Sequence, residues 1–145
     1  MRFQYFLSLL RQTADGLLYL WPITAGLVCL LTAGLLLSRR RAAARIRGGW
    51  WLQFVPFCAP LIVLALGTIY VCENCSPSSL GQGVRHVWAL HAVDAVLFAQ
   101  LAAAITLVWL ARGRRWTASL IQMLALWCTF WASFIAGMSI AGDWL

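Results

Sequence analysis

The chain has 145 residues, of which 63% are hydrophobic and only 10% are charged, so it is too apolar for a soluble domain of this size. Its net charge of +7 comes from arginines that lie mostly between long apolar runs, which argues against nucleic-acid binding as the reason for the basic character. The composition predicts an all-α integral membrane protein that contacts membrane lipids and no nucleic acid.

The chain begins with residues 1–15, whose apolar side chains recur at helical spacing with polar residues on the remaining faces. This pattern predicts a short interfacial helix on the membrane surface, with a frayed extension of the first span as the alternative. A bilayer-spanning helix needs about 20 apolar residues. Four stretches meet that length and predict a compact four-helix transmembrane bundle in a single domain over 1–145: residues 17–38, 51–72, 87–111 and 117–141.

The second span contains two prolines, Pro56 and Pro60, with Gly67 beyond them. A proline inside a helix removes a backbone donor and bends the helix, so we expect freed carbonyl groups that neighbouring helices or water must satisfy. Such a bend shapes either a pocket or a packing kink without a ligand.

Cysteines mark the end of the second span, where Cys72 and Cys75 form a CxxC pair. In an oxidising compartment a structural or exchangeable disulfide is expected, and an exchangeable one would make both thiols catalytic. Adding His86 and His91 gives a spacing near that of two-cysteine two-histidine metal sites, whose ligands favour zinc or copper. Unpaired thiols are the third alternative.

The third span carries the one acid within a predicted span, Asp94, three residues after His91. Both lie on one helix face, where they form either a functional polar site or a structural pair that ties helices together or reaches outer water. Gln100 lies deeper and is expected to hydrogen-bond a neighbouring helix.

Small residues predict how the last two spans pack, because they let helix backbones approach closely in lipid. Those of the fourth span share one face: Ala125, Thr129, Ala132 and Ala136. Aromatic and other large residues share the opposite face, expected to meet lipid or a second subunit: Trp127, Trp131, Phe134 and Met138. One side of the third span consists of small alanine residues, and we expect this side to pack against the fourth span: Ala92, Ala95, Ala99, Ala102 and Ala103.

Orientation follows from the arginines, most of which fall in loops 39–50 and 112–116. Cytoplasmic loops carry the excess of basic residues, so these loops are expected in the cytoplasm. The N-terminus, loop 73–86 and the C-terminus then lie on the outer side, which is the periplasm if the membrane is a bacterial inner membrane.

Three functions fit these features. A small membrane subunit, acting through a homo-oligomer or another membrane protein, is favoured because the chain has no paired nucleophile and base and no glycine-rich phosphate loop. A transporter or channel subunit for a cation or soft metal ion would use the Asp94 and His91 pair.

The third function is redox exchange. Four membrane helices with the outward Cys72 and Cys75 pair resemble the quinone-linked disulfide-forming membrane oxidases. That resemblance implies a thiol-disulfide oxidoreductase with quinone as cofactor. It covers the helix count and this one cysteine pair, whereas the second outward pair of such enzymes has no counterpart in this chain and their termini lie in the cytoplasm.

Overall fold

A computed structural model describes residues 2–41, 50–71, 87–111 and 115–141, and nearly all of them are helical. These residues form five α-helices and one 3₁₀ helix: α1 (Arg2–Tyr19), α2 (Trp21–Arg41), the 3₁₀ helix (Trp50–Cys58), α3 (Ala59–Ile69), α4 (Val87–Leu110) and α5 (Arg115–Ala141). Within these ranges three stretches are long and apolar enough to cross a membrane unaided: Leu52–Ile69, Val87–Leu110 and Arg115–Ala141. The expected all-α architecture is confirmed, and the length and apolar character of these helices suit an integral membrane protein.

A fourth crossing would have to be made by α1 and α2 together, which meet at an angle of 83°. The break lies at Leu20, and Pro22 explains it because proline has no N–H for the helical ladder and is tolerated only in a first turn. The Thr24 hydroxyl donates to the Leu17 carbonyl oxygen at 3.0 Å and so satisfies the end of α1. The expected continuous span over residues 17–38 is therefore interrupted near its start.

The N-terminal helix α1 packs against α2, α3 and α5. Leu9 is fully buried and Thr13 nearly so, and the Tyr5 hydroxyl lies 3.0 Å from Ser139 Oγ in α5. The helix expected over residues 1–15 is present, but one of its faces is covered by the bundle. α1 is therefore part of the helix packing.

The central helix is α5, which contacts every other helical element. Four contacts show how α1 and α2 lie along α5. In chain order along α1 and α2, the α5 partner moves from the C-terminal to the N-terminal end of α5: Tyr5 with Ser139, Gly16 with Trp131, Thr24 with Trp127 and Gly34 with Thr117. The bent pair α1–α2 therefore runs along α5 in the opposite direction and covers about 33 Å of its length, close to a bilayer core.

The remaining elements alternate in direction. Gln53 of the 3₁₀ helix contacts Gln122 near the start of α5, whereas Gly67 of α3 contacts Ala136 near its end. The 3₁₀ helix and α3 thus run parallel to α5. α4 returns antiparallel, with its N-terminal end beside the C-terminal end of α3, where the Tyr70 and Trp88 rings meet edge to face. The described ends of the chain lie together at this end of the bundle.

The apolar core fills the half of the bundle near the chain ends. It joins α1, α3, α4 and α5 through small and β-branched residues among larger ones: Leu9, Val63, Leu64, Ala89, Val93, Ala132, Ala136 and Ile140. α3 and α5 approach closely at Gly67, where an added Cβ would lie 2.8 Å from Ala136 Cβ and 2.9 Å from its Cα. The other half of the bundle combines buried apolar residues such as Leu120 and Ile121 with buried polar side chains.

Candidate functional site

The outward face of α4 differs from the face that meets the bundle. The buried residues of α4 recur on one side of the helix: Ala89, Val93, Gln100 and Ala104. Four of the alanines that were expected to meet α5 are exposed instead: Ala95, Ala99, Ala102 and Ala103. α4 and α5 are neighbours, as expected, but the alanine face predicted between them is wrong.

The amide of Gln100 explains why this face turns outward. Gln100 is 4% exposed, and its Nε2 lies 3.5 Å from the carbonyl oxygen of Pro56. An amide without a partner is costly in an apolar surrounding, whereas alanine fits either a helix contact or lipid. The side of α4 that carries Gln100 is therefore held inward.

A stripe of small residues runs along the exposed side of α4, which we call the alanine stripe: Ala95, Ala99, Ala102 and Thr106. Their spacing of four, three and four residues keeps them on one helix face. The Thr106 hydroxyl donates to the Ala102 carbonyl oxygen at 2.9 Å, so it is satisfied within α4. The stripe leaves the α4 backbone open to close approach by another helix.

Two ionisable residues lie on the outward side of α4 near one end of this stripe. His91 and Asp94 are both exposed, and neither forms a hydrogen bond or ion pair with the residues that the structure describes. Asp94 is about 10 Å along α4 from Val87, which is several Å inside a hydrocarbon core of about 30 Å centred on this helix. The pair therefore does not tie the described helices together.

Three glutamines are buried in the arginine-loop half of the bundle: Gln53, Gln100 and Gln122, at 7%, 4% and 2% exposure. The Gln122 Nε2 donates to the Gln53 carbonyl oxygen at 3.1 Å and to its Oε1 at 3.0 Å. The Gln53 Nε2 donates to the Leu107 carbonyl oxygen at 3.2 Å. This glutamine cluster joins the 3₁₀ helix, α4 and α5.

The prolines of the second span explain which carbonyl groups the cluster uses. In a 3₁₀ helix the Gln53 oxygen would accept from the residue three positions later, but that residue is Pro56, which has no N–H. Gln122 donates to this Gln53 oxygen instead, so the expectation of a freed carbonyl group met by a neighbouring helix is confirmed there. Gln100 donates to the carbonyl oxygen of Pro56 itself.

Sequence reasoning singled out Gln100 but missed Gln53 and Gln122. A signal was present, because each of three predicted spans has one glutamine in an otherwise apolar run. In lipid, such side chains form hydrogen bonds with one another or with a backbone carbonyl group that lacks a donor. Their pairing becomes clear only once the helix directions are known.

The small face of α5 is buried as a set. Four of its residues have relative exposures of 0%: Ala125, Thr129, Ala132 and Ala136. The aromatic face also has partners within the chain, since Trp131 lies against Gly16 and the Trp127 Nε1 donates to Thr24 Oγ1 at 3.2 Å. The expectation that lipid or a second subunit covers this face is therefore wrong at both tryptophans.

Most of the predicted cysteine and metal site lies outside the described residues, namely Cys72, Cys75 and His86. Of its four members only His91 is described, on the outward side of α4. Among the described residues no group of three His, Cys, Asp or Glu side chains is placed to hold a metal ion. The described thiols of Cys29 and Cys58 are exposed and unpaired.

No protein-family model matches the chain, and neither a curated protein nor a solved structure is significantly similar to it.

Proposed function

We propose that the protein is a small, non-enzymatic subunit of a bacterial inner-membrane complex and that it binds a transmembrane helix of its partner through the alanine stripe of α4. The observation that carries this proposal is the outward position of His91 and Asp94. The bundle covers the opposite side of α4, and the alanine stripe is left without a helix against it among the described residues.

The energetics of the membrane favour a partner at this position. A charged side chain at the centre of a bilayer costs about 2.5–3.5 kcal/mol on insertion scales, and less near the edge. With the bilayer centred on α4, Asp94 lies within the hydrocarbon core, where a basic or hydrogen-bond-donating side chain of a partner would reduce this cost. The partner helix in this proposal therefore carries an arginine, lysine or hydroxyl group level with Asp94.

The alanine stripe favours close contact with a partner helix. An apolar side chain is as well accommodated by lipid tails as by another helix. Apolar burial alone therefore does not drive helices together in a membrane. Small residues at helical spacing allow two backbones to approach and gain dispersion contacts. On α4 His91 lies at the end of this surface and Asp94 about a quarter of a turn around the helix from it, so a long basic side chain of the partner helix could reach Asp94 while the backbones meet at the alanine stripe.

The orientation forms part of the proposal. The arginine-rich loops 39–50 and 112–116 would lie in the cytoplasm, which places the chain ends and loop 73–86 in the periplasm. The close contact between Tyr5 and Ser139 supports a common side for the two ends. Any Cys72 and Cys75 site with His86 and His91 would then face the periplasm, beside the end of α4 that carries Asp94.

A pair of alanine-to-leucine variants tests this proposal. Ala99→Leu adds bulk to the alanine stripe, and Ala33→Leu makes the same change at an exposed alanine of α2. Because both alanines are exposed in the monomer, both variants should fold with wild-type stability. We expect Ala99→Leu alone to shift the protein, extracted from native membranes in mild detergent, from a larger complex to the monomer on native gels.

Asp94→Leu provides the charge test in the same assay. Losing one polar contact within a membrane costs about 0.6–1.7 kcal/mol, so we expect about a three- to fifteen-fold weaker complex. Coexpression of two differently tagged copies distinguishes a homo-oligomer from a complex with another protein. Wild-type migration of both Ala99→Leu and Asp94→Leu would refute docking through this face.

A further inference from the structure

The glutamine cluster contains polar atoms that the described residues do not satisfy. The Oε1 atoms of Gln100 and Gln122 are both buried and have no hydrogen-bond partner. The side chains are 4% and 2% exposed. A buried amide oxygen left without a donor costs about 1–3 kcal/mol, so two of them in one cluster call for a ligand that supplies donors.

The donors of the cluster are also not exhausted. A glutamine amide has two N–H groups. Gln122 uses both on Gln53, whereas Gln53 and Gln100 each use one in a hydrogen bond with a described residue. The cluster therefore offers a ligand two acceptor oxygens and further N–H donors. A bare metal cation would meet these N–H groups unfavourably, but a water molecule both donates and accepts.

The two amides bind neighbouring points on the second span. Gln122 and Gln100 donate to the carbonyl oxygens of Gln53 and Pro56, which are three residues apart and therefore one turn apart on the same side of the 3₁₀ helix. A water molecule between two neighbouring amides can donate one hydrogen to the oxygen of each.

We propose that the cluster of Gln53, Gln100 and Gln122 is a binding site for an internal water molecule, which donates to the Oε1 atoms of Gln100 and Gln122. The water accepts a hydrogen bond from a remaining amide N–H, which gives it the two to four polar partners typical of buried water. Gln122 lies about 10 Å along α5 from Arg115, so water would enter from the arginine-loop end.

The site would change how the second span behaves. The 3₁₀ helix is held by side-chain amides at two carbonyl oxygens, that of Gln53, which Pro56 leaves without a backbone donor, and that of Pro56 itself. A water bridge would link the Gln100 and Gln122 amides to each other. α4 and α5 would then bind the 3₁₀ helix through one connected hydrogen-bond network. Removing one amide should then release water from the other, which independent hydrogen bonds would not do.

The test is solid-state NMR of the full chain in lipid bilayers, with ¹⁵N labelling and transfer of magnetisation from water to protein. The chain has only six glutamines, so the side-chain amide signals can be assigned by single substitutions. Exposed Gln12 serves as the hydrated reference and the backbone amide of buried Ala132 as the dry one. We expect the Gln100 and Gln122 amides to receive water magnetisation well above the level at Ala132.

A variant then separates a shared water from two independent contacts. In Gln100→Met the side chain keeps its approximate size but loses its amide, so water transfer to Gln122 should fall to the dry level. Wild-type transfer at Gln100 and Gln122 no greater than at Ala132 would overturn the proposal. Shifts of these amide signals when sodium is replaced by potassium or ammonium, without water transfer, would also overturn it and indicate a cation.

Discussion

The contact between Gly67 and Ala136 gives the sharpest prediction about stability. An added Cβ at residue 67 would lie 2.8 Å from Ala136 Cβ and 2.9 Å from Ala136 Cα, about 1 Å closer than ordinary carbon contacts. Because the obstacle includes backbone, α3 and α5 must separate to relieve it. The Ser139 hydroxyl, which donates to the Gly67 carbonyl oxygen at 3.0 Å, would be pulled away as well.

The magnitude follows from these opposing effects. Overpacking costs about 1–3 kcal/mol, with the upper end expected where backbone blocks the way, and weakening a hydrogen bond costs about 1 kcal/mol. Replacing a helical glycine by alanine recovers about 1 kcal/mol of helix propensity. We therefore expect Gly67→Ala to lower the free energy of unfolding by about 2–3 kcal/mol.

Titration with SDS in mixed micelles, followed by tryptophan fluorescence and circular dichroism, measures this difference. Gly26→Ala and Gly137→Ala are matched controls, because an added Cβ at either position meets nothing within 4 Å. Both should be as stable as wild type or slightly more stable. In the double variant Gly67→Ala with Ala136→Gly, the contact with Cβ is removed but the contact with Cα remains, so partial recovery is expected. Gly67→Ala at wild-type stability would refute the close α3–α5 packing.

Two further predictions concern hydrogen bonds between helices. Gln122→Leu leaves the backbone and side-chain oxygens of Gln53 without their donor, so it should lower the free energy of unfolding by about 1–3 kcal/mol. The same change at exposed Gln12 should have little effect. Equal effects of the two variants in the SDS titration would argue against the glutamine cluster. Trp127→Phe removes the bond to Thr24 and should cost about 0.5–1.5 kcal/mol. Thr24→Val also removes the bond to the Leu17 carbonyl oxygen, so the double variant should lose less than the sum of the two single losses, and fully additive losses would count against the Trp127 bond.

The sequence predicted the long helices well because hydrophobic length is a local property. The third and fourth predicted spans, 87–111 and 117–141, differ by one or two residues from α4 and α5. The proline effect in the second span was also local, and the freed carbonyl groups follow from covalent structure alone. Such features need no knowledge of neighbouring helices.

The first span shows where a window of hydrophobicity is insufficient. Residues 17–38 are apolar throughout, but the α1–α2 break at Leu20 depends on Pro22 and on the room that Gly16 leaves for Trp131. Helix breaks of this kind change the direction of the chain without changing its mean hydropathy. Pro22 was the local signal for it.

The outward alanine stripe was mispredicted for a different reason. Alanines lie on several sides of α4, so their pattern does not decide which side faces the bundle. The side that faces the bundle is set by Gln100, whose partner is the carbonyl oxygen of Pro56 in another span. The single acid of the span, Asp94, then lies outward, and this placement makes the His91 and Asp94 pair a candidate partner contact.

The most direct test of docking through α4 is site-specific photocrosslinking in native membranes. A photoreactive residue is placed at Ala99 in the alanine stripe and, in separate variants, at exposed Ile62 of α3 and Val28 of α2. We expect a discrete protein adduct from Ala99, weakened by Asp94→Leu, and none of that size from Ile62 or Val28. Equal adducts from all three positions, or none from Ala99, would contradict the account.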